Sequence, residues 1–331
     1  MFGRKLLGAL VALSLLTGCF GGKGDSESSS VLSKVETVFG EVTIPRPKGH
    51  DLRVVALGWS DAEAALAVGI KPVAVYDWIS FGNKGVGPWA EGLFGDVKPT
   101  VMSFSTDGLN WEQIKAFKPD VILDVRSKND EKTYKRLSQI APTVYGPKNS
   151  KDYQPYQIPW RDQQRQVAKA LGRVKEGEEA IKKTEKAIKD AQDPLYRGLK
   201  AALVVQRPSG YGVFAESTRQ WDLIRELGFT LEPRVTELFD GRHAGKDIPS
   251  GKLNLIDTDV IVVTVKRGIR KAANHNDPLI ASLKASKEGR IIYGSDEFNL
   301  ALIAGSVLSI PEAIKFLSDK LREIAKKLRN K

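Results

Sequence analysis

Short apolar runs alternate with segments of helical periodicity along most of the chain. The runs at 53–57, 73–76 and 121–125 have the length of buried strands. A helix is expected after the first run, where Ser60 and Glu63 have the spacing of a capping box. This alternation is typical of a mostly parallel sheet with helices on its faces.

The same pattern returns in the second half of the chain. Strands are predicted at 201–205, 260–265 and 290–293, and a helix is predicted at 221–227. The fold class is therefore α/β, with two lobes whose central, mostly parallel sheets are flanked by helices. Two similar lobes predict a cleft between them.

One long α-helix is expected to join the lobes. Apolar positions recur at helical spacing from Val174 until Pro194 ends the pattern, and the opposite face is rich in Lys and Glu. The predicted boundaries are 34–172 for the N-terminal lobe, 173–197 for the connecting helix and 198–331 for the C-terminal lobe.

A last amphipathic helix is predicted at the C-terminus. Ser309 and Glu312 form a second capping-box pattern, with Pro311 between them, and an apolar stripe follows at steps of three and four residues. The segment is rich in Lys and Arg. We expect it to dock on the second lobe with a solvated basic face, and contact with an anionic membrane surface is the alternative.

The N-terminus carries an export signal. Residues 1–18 combine a basic start with an apolar run too short to span a bilayer, and the run ends at Leu16-Thr-Gly-Cys19. These four residues resemble a bacterial lipobox, in which Cys19 receives a lipid. Residues 19–33 then form a flexible tether. An ordinary signal peptide with a chance cysteine is the alternative.

Composition narrows the function classes. The 331 residues include 41% hydrophobic and 27% charged residues, which fits a soluble globular body. One cysteine excludes an internal disulfide, and three scattered histidines supply no zinc motif. The formal charge of +11, about +9 without Arg4 and Lys5, suits an anionic partner without identifying one. Sequence motifs of nucleotide-binding and hydrolytic enzymes are absent.

Residues that follow the predicted strands are the candidate ligand contacts. Ligands of open α/β sheets bind beyond the carboxyl ends of the strands. Aromatic faces and arginine donors at these places suit a bulky ligand that carries anionic oxygens. The candidates are Trp59, Trp78, Arg126, Arg207, Tyr211, Arg267 and Phe298. Core packing of the aromatic residues and surface ion pairs of the arginines are the alternatives.

Seven segments that follow one another across most of the mature chain show a family resemblance. They are Arg53–Val75, Phe81–Trp89, Ile114–Arg126, Leu137–Thr143, Trp160–Gln163, Ile224–Phe229 and Leu253–Val260. In this order they resemble the substrate-binding proteins of iron-siderophore ABC importers. This class, class III, has two lobes and a single connecting helix.

The resemblance implies a monomeric, membrane-tethered, extracytoplasmic receptor without a cofactor. It would capture a ferric siderophore and deliver it to an ABC permease driven by a cytoplasmic ATPase. Glutamates at Glu112 and Glu226 are the implied permease contacts. Iron would be held by the siderophore, not by side chains, and no nucleic-acid partner is expected.

Two alternatives remain at this stage. A haem or corrinoid receptor would use the same scaffold. An extracytoplasmic enzyme that acts on an anionic envelope component would also suit the positive charge. Among siderophores, arginines in both lobes favour a catecholate or carboxylate complex, and hydroxamates remain open.

Overall fold

The computed structural model describes residues 30–103, 108–208, 210–239, 245–265 and 277–330. Within these ranges the chain forms two α/β lobes, each with its own sheet. No helix in the described ranges is long and apolar enough to cross a membrane. The signal segment and Cys19 lie outside the described residues.

An antiparallel hairpin opens the folded body. Its strands are β1 (Val31–Thr37) and β2 (Gly40–Pro45). The Ser33 hydroxyl donates to the carbonyl of Ala170 at 2.7 Å, which fixes β1 to the N-terminal lobe. Residues 31–33, which were predicted to belong to the tether, lie in β1.

The N-terminal lobe is built on a five-stranded parallel sheet in the order β5-β4-β3-β6-β7. Most residues of these strands are apolar, as expected for strands that helices cover on both faces. In chain order the strands are β3 (Val54–Ala56), β4 (Ala74–Asp77), β5 (Thr100–Ser103), β6 (Val121–Asp124) and β7 (Thr143–Tyr145). The helices are α1 (Asp61–Leu66), α2 (Pro88–Glu91), α3 (Trp111–Ala116), α4 (Glu131–Ser138) and α5 (Trp160–Ala170).

Alternate residues of these strands pack into different hydrophobic clusters on the two faces of the sheet. Val54 and Val121 face one side, where Val167 of α5 joins their cluster. Val55 and Ile122 belong to the cluster on the other face. Because successive side chains of a strand point to opposite faces, the sheet packs between two layers of helices.

A helix at Val174–Ala191, α6, lies within the segment predicted to connect the lobes. Gly177 allows α6 to approach α5, because a Cβ there would lie 2.4 Å from the Ala168 Cβ. On its other side the Thr184 hydroxyl donates to the Val307 carbonyl at 2.8 Å. The helix therefore packs on elements of both lobes, and the exact lobe boundaries stay a prediction.

The C-terminal lobe has a mixed sheet in the order β11-β9-β8-β12-β13, with β10 beside the start of β8. Strands β8, β12 and β13 run parallel, as expected. The strands are β8 (Lys200–Arg207), β9 (Gly210–Phe214), β10 (Thr230–Leu231), β11 (Gly245–Ile248), β12 (Val260–Val265) and β13 (Ile291–Tyr293). The helices are α7 (Arg219–Glu226), α8 (Pro278–Ala281), α9 (Lys284–Lys287), α10 (Asp296–Ala304) and α11 (Ser309–Arg329).

The turn between α10 and α11 is pressed against the N-terminal lobe. Arg126 donates to the carbonyls of Ala304 at 2.5 Å and Ile303 at 3.4 Å, and Ser60 donates to Ala304 at 3.0 Å. These are the last carbonyls of α10, which have no partner within the helix. The N-terminal lobe thus caps a helix of the C-terminal lobe. We call this contact the lobe junction.

Glu63 completes the lobe junction from α1. Its carboxylate accepts a hydrogen bond from the Ser306 hydroxyl and another, at 3.0 Å, from the indole N–H of Trp89. Burial raises the pKa of Glu63, and these donors oppose the rise. The predicted capping box is wrong, because Ser60 adopts a left-handed conformation (φ 62°) and directs its hydroxyl across the junction.

The predicted cap of the last helix is also wrong. Helix α11 already begins at Ser309, so Pro311 is its third residue. Instead, the Ser306 hydroxyl oxygen accepts from the backbone N–H groups of Leu308 and Ser309, at 3.2 and 3.1 Å. The Ser306 side chain therefore caps the start of α11 and also joins the two lobes. The sequence pattern at 309–312 indicates neither role.

Replacing Ser306→Ala tests the lobe junction. We expect the free energy of unfolding to fall by about 1–3 kcal/mol, because the buried Glu63 carboxylate loses a donor. Ser318→Ala is the control, since this hydroxyl only donates to Ile314 within α11. Chemical denaturation of both variants measures the difference. Equal stability of the two variants would contradict a structural role for the Ser306–Glu63 contact.

Candidate ligand-binding cleft

The carboxyl ends of the N-terminal strands meet at a cleft of about 610 Å³. This volume is typical of a site for a small-molecule ligand. All its described lining residues belong to the N-terminal lobe. They are Leu57, Gly58, Trp59, Tyr76, Trp78, Gly108, Leu109, Asp124, Arg126, Ser127, Lys128, Asp130, Thr133, Tyr145 and Tyr156.

Three stacked aromatic rings form one wall of the cleft. Trp59 follows β3 and Trp78 follows β4, and their rings stack at 4.4 Å between centroids. The Tyr156 ring covers the other face of Trp59 at 4.1 Å, and Phe81 meets Trp78 edge-on. The structure thus brings the two predicted tryptophans together. Both rings line the cleft and give it an apolar, polarizable surface, although Trp78 is only 6% exposed.

Arg126 lies beside this wall with its donors turned away from the cleft. Its guanidinium carbon lies 5.8 and 5.7 Å from the ring centroids of Trp59 and Trp78. The Nε–H donates to the Tyr156 carbonyl at 3.0 Å, and the other described bonds go to the lobe junction. Arg126 is only 1% exposed. In this conformation it organises the wall and does not offer its fork to a ligand.

A buried carboxyl, that of Asp124, lines the cleft. Asp124 ends β6 and is 8% exposed. Burial raises the pKa of Asp124 to about 7, the Asp61 charge raises it further, and Tyr145 and Ser127 oppose the rise. A carboxyl with such a pKa changes its charge near neutral pH.

Asp61 supports the strand ends from behind. Its carboxylate accepts the Val125 N–H and the side-chain amide of Gln163, each at 2.7 Å. Burial raises the pKa of Asp61 to about 7, and these hydrogen bonds and the Arg219 charge oppose the rise. Asp61 thereby fixes the chain between Asp124 and Arg126.

Two charged groups of opposite sign lie at the rim. Lys128 and Asp130 are both exposed. The Asp130 carboxylate caps α4 by accepting the N–H and hydroxyl of Thr133 at 2.8 and 2.6 Å, and this bonding lowers its pKa. Solvent screens charges at such positions much more than it screens Asp124.

Comparison with known sequences decides the family. Residues 54–297 match the family described as periplasmic binding protein. The chain belongs to this family. The family and the structural neighbours are substrate-binding proteins and not enzymes. The predicted binding role of this periplasmic binding protein is therefore confirmed, and the enzyme alternative is set aside.

Individual relatives are binding proteins by name. This periplasmic binding protein is 25% identical to the Fe(3+)-citrate-binding protein YfmC of Bacillus subtilis, over 97% of this chain and 95% of YfmC. It is 30% identical to the probable siderophore-binding lipoprotein YfiY of the same organism, over 70% of this chain and 68% of YfiY. The structure of Streptococcus pneumoniae PiaA with ferrichrome has a TM-score of 0.68 and 27% identity, covering 88% of this chain and 98% of PiaA. The predicted class III fold is confirmed.

Three of the other predicted contacts of this periplasmic binding protein, Arg207, Tyr211 and Phe298, are not among the described lining residues of the cleft. Arg207, at the end of β8, pairs with Asp247 of β11. Tyr211 lies within β9, not on a loop, and its hydroxyl donates to Asp277 at 2.6 Å. Arg267 lies outside the described residues.

Phe298 is also not on a loop. It lies in α10, is 2% exposed and stacks on Phe316 at 4.6 Å between ring centroids. Its apolar side chain is part of the C-terminal core because α10 packs on α11. Of the seven predicted contacts, the structure therefore brings Trp59, Trp78 and Arg126 together at the cleft.

The two predicted permease contacts differ in availability. Glu112 is exposed in the first turn of α3. The Glu226 carboxylate instead accepts two hydrogen bonds from Arg161, at 2.9 and 3.0 Å, and its side chain is 23% exposed. Such a two-pronged ion pair would have to open before Glu226 could bind another arginine.

Sequence reasoning missed two cleft residues. Asp124 is the last residue of its strand. The strand-end rule that selected Trp59 would also have selected Asp124 if acidic residues had been considered together with aromatic and basic ones. Tyr156 lies in the segment between β7 and α5 and reaches Trp59 with a left-handed backbone (φ 65°). No local pattern predicts that contact. No group of three metal-binding side chains occurs within the residues that the structure covers.

Proposed function

We propose that this protein is an extracytoplasmic lipoprotein that binds a ferric siderophore, or a related ferric complex, and delivers it to an ABC permease. The names of YfmC and YfiY and the ferrichrome complex of PiaA support this ligand class. Iron would be coordinated by the siderophore. The protein would bind the outer surface of the complex.

The observation that carries the proposal is the aromatic wall of a cleft of about 610 Å³. A ferric siderophore complex is bulky, and in catecholate and many hydroxamate complexes aromatic or apolar groups lie outside the iron shell. The edges of Trp59, Trp78 and Tyr156 supply matching surface without requiring a charged contact. This matching makes a small polar solute a poor candidate.

Ligand titration tests the binding function. The chain without residues 1–19 is titrated with iron-loaded and iron-free hydroxamate, catecholate and carboxylate ligands, with haem and cobalamin as further ligands. We expect submicromolar, saturable quenching of tryptophan fluorescence by one iron-loaded class, confirmed by calorimetry. Trp59→Ala should weaken binding by about tenfold or more. Trp111→Ala, outside the described lining, is the matched control.

Two results would contradict the proposal in different ways. Saturable binding of haem or cobalamin, with none of the ferric complexes, would keep the transport role and replace the ligand. Equal weakening by both tryptophan replacements would show that the aromatic wall is not the binding surface.

We infer the lipid anchor from the segment that ends at Cys19 and from the lipoprotein name of YfiY. A lipid on Cys19 would keep the protein beside its permease. Cys19→Ala should lose incorporation of a palmitate analogue and release the protein from the membrane fraction. Cys19→Ala protein that stays membrane-bound and labelled would exclude this anchor.

We infer that Glu112 is a permease contact, because it is exposed and matches the position implied by the resemblance. Glu112→Lys should lower uptake of the ferric ligand about tenfold or more and leave ligand affinity unchanged, since a reversed charge repels a permease arginine. Glu179→Lys, exposed on α6, is the control. Normal uptake with Glu112→Lys would remove this assignment. Glu226 stays a prediction.

A further inference from the structure

Tyr156 covers one face of the tryptophan at the centre of the aromatic wall. Trp59 has Trp78 on one face and Tyr156 on the other, with ring planes inclined by only 13° and 18°. Trp78 is buried, so its ring has little room to move. Tyr156 lines the cleft from the segment between β7 and α5. The face of Trp59 under Tyr156 is therefore the one that a ligand can reach if the tyrosine ring moves.

The backbone of Tyr156 is held in a conformation that tyrosine rarely adopts. Its φ of 65° lies in the left-handed region, which suits glycine or asparagine and is unfavourable for a bulky aromatic residue. Its N–H donates to the Ser127 carbonyl at 3.1 Å, and its carbonyl accepts from the Nε–H of Arg126 at 3.0 Å. The fold therefore accepts a backbone cost at this position, and what the position presents to the cleft is an aromatic ring.

The side chain of Tyr156 is held much less firmly than its backbone. Among the described residues its hydroxyl has no hydrogen-bond partner, whereas the buried Tyr211 hydroxyl donates to Asp277 at 2.6 Å. The residue is half-buried, and its described ring contact is the stacking on Trp59. Rotation about the first side-chain dihedral angle can move the ring without any change in the backbone. Leaving Trp59 thus costs the protein one stacking interaction.

We propose that the face of Trp59 under Tyr156 is a stacking subsite for an aromatic chelating group of the ferric complex, which displaces the tyrosine ring when it binds. This inference rests on the proposed function and names the ligand class within it: complexes whose chelating groups are aromatic, such as catecholates. A planar aromatic ring regains the stacking that Tyr156 gives up. An aliphatic group does not regain it, so a complex without aromatic groups binds with Tyr156 in place.

Affinities for three ferric complexes test the subsite. Ferric bacillibactin is anionic with catecholate rings, ferric staphyloferrin B is anionic without an aromatic ring, and ferrichrome is neutral without one. Tyr156→Ala should raise the affinity for ferric bacillibactin, relative to each of the other two, about three- to tenfold, because the ligand ring no longer competes with the tyrosine ring. Tyr153→Ala is the matched control, since it removes a tyrosine ring of the same segment that is not in the described lining. Its ratios should change less than about twofold.

A second measurement follows the ring in the unmodified sequence, and it decides the matter if Tyr156→Ala does not fold. The ring protons of 13C-labelled tyrosine are observed by NMR, and the Tyr156 signal is identified by its absence in Tyr156→Phe. Stacking on Trp59 shifts this signal upfield through the indole ring current. Gallium replaces iron because it is diamagnetic. We expect gallium bacillibactin to move the signal downfield, toward that of an exposed tyrosine, and gallium ferrichrome to leave it in place.

The outcomes separate this inference from the proposed function. A selective gain with Tyr156→Ala, and a downfield movement caused by the catecholate complex alone, support the subsite. A loss of affinity for ferric bacillibactin with Tyr156→Ala, or a further upfield shift on binding, would show that the ligand stacks on Tyr156 itself and would overturn the inference. An equal change for all three complexes, or no binding of ferric bacillibactin by either protein while another complex binds, would also overturn it and leave the binding function intact. No binding of any ferric complex by the unmodified protein would overturn both.

Discussion

The arrangement of the two lobes depends on a buried arginine in the N-terminal lobe that caps the C-terminus of a helix in the C-terminal lobe. A guanidinium removed from water is unfavourable unless its donors find acceptors, and Arg126 finds them in the carbonyls of Tyr156, Ile303 and Ala304. The last two stand at the C-terminus of α10, where helix dipoles concentrate partial negative charge. One side chain thus satisfies orphan carbonyls, fixes the aromatic wall and sets the lobe orientation.

This use of Arg126 changes the electrostatics of the cleft. The guanidinium that follows β6 donates its described hydrogen bonds to backbone carbonyls, so it does not offer its fork to a ligand, but its positive charge stays beside the cleft. Asp124 and Lys128 line the same cleft. The cleft and the lobe junction therefore share one arginine.

The sequence was sufficient for the architecture because each element is specified locally. Buried parallel strands consist mainly of apolar residues, as in Val121–Asp124 and Val260–Val265, and caps such as Asn110 accept the N–H of a residue three positions later. Such local patterns do not depend on contacts with the other lobe. They failed at Ser60 and at Ser309, because the hydroxyls of Ser60 and Ser306 bond across the lobe junction, between residues more than 240 positions apart.

The same distinction explains the candidate site. Strand-end reasoning places a residue at the edge of a sheet, and Trp59, Trp78 and Arg126 do meet there. It does not say where a long side chain points, because the acceptors that decide this come from distant segments. A short carboxyl such as Asp124 has less freedom and stays where its strand ends. Short polar residues at strand ends therefore identify the cleft more directly than arginines, whose reach allows them to serve the fold instead.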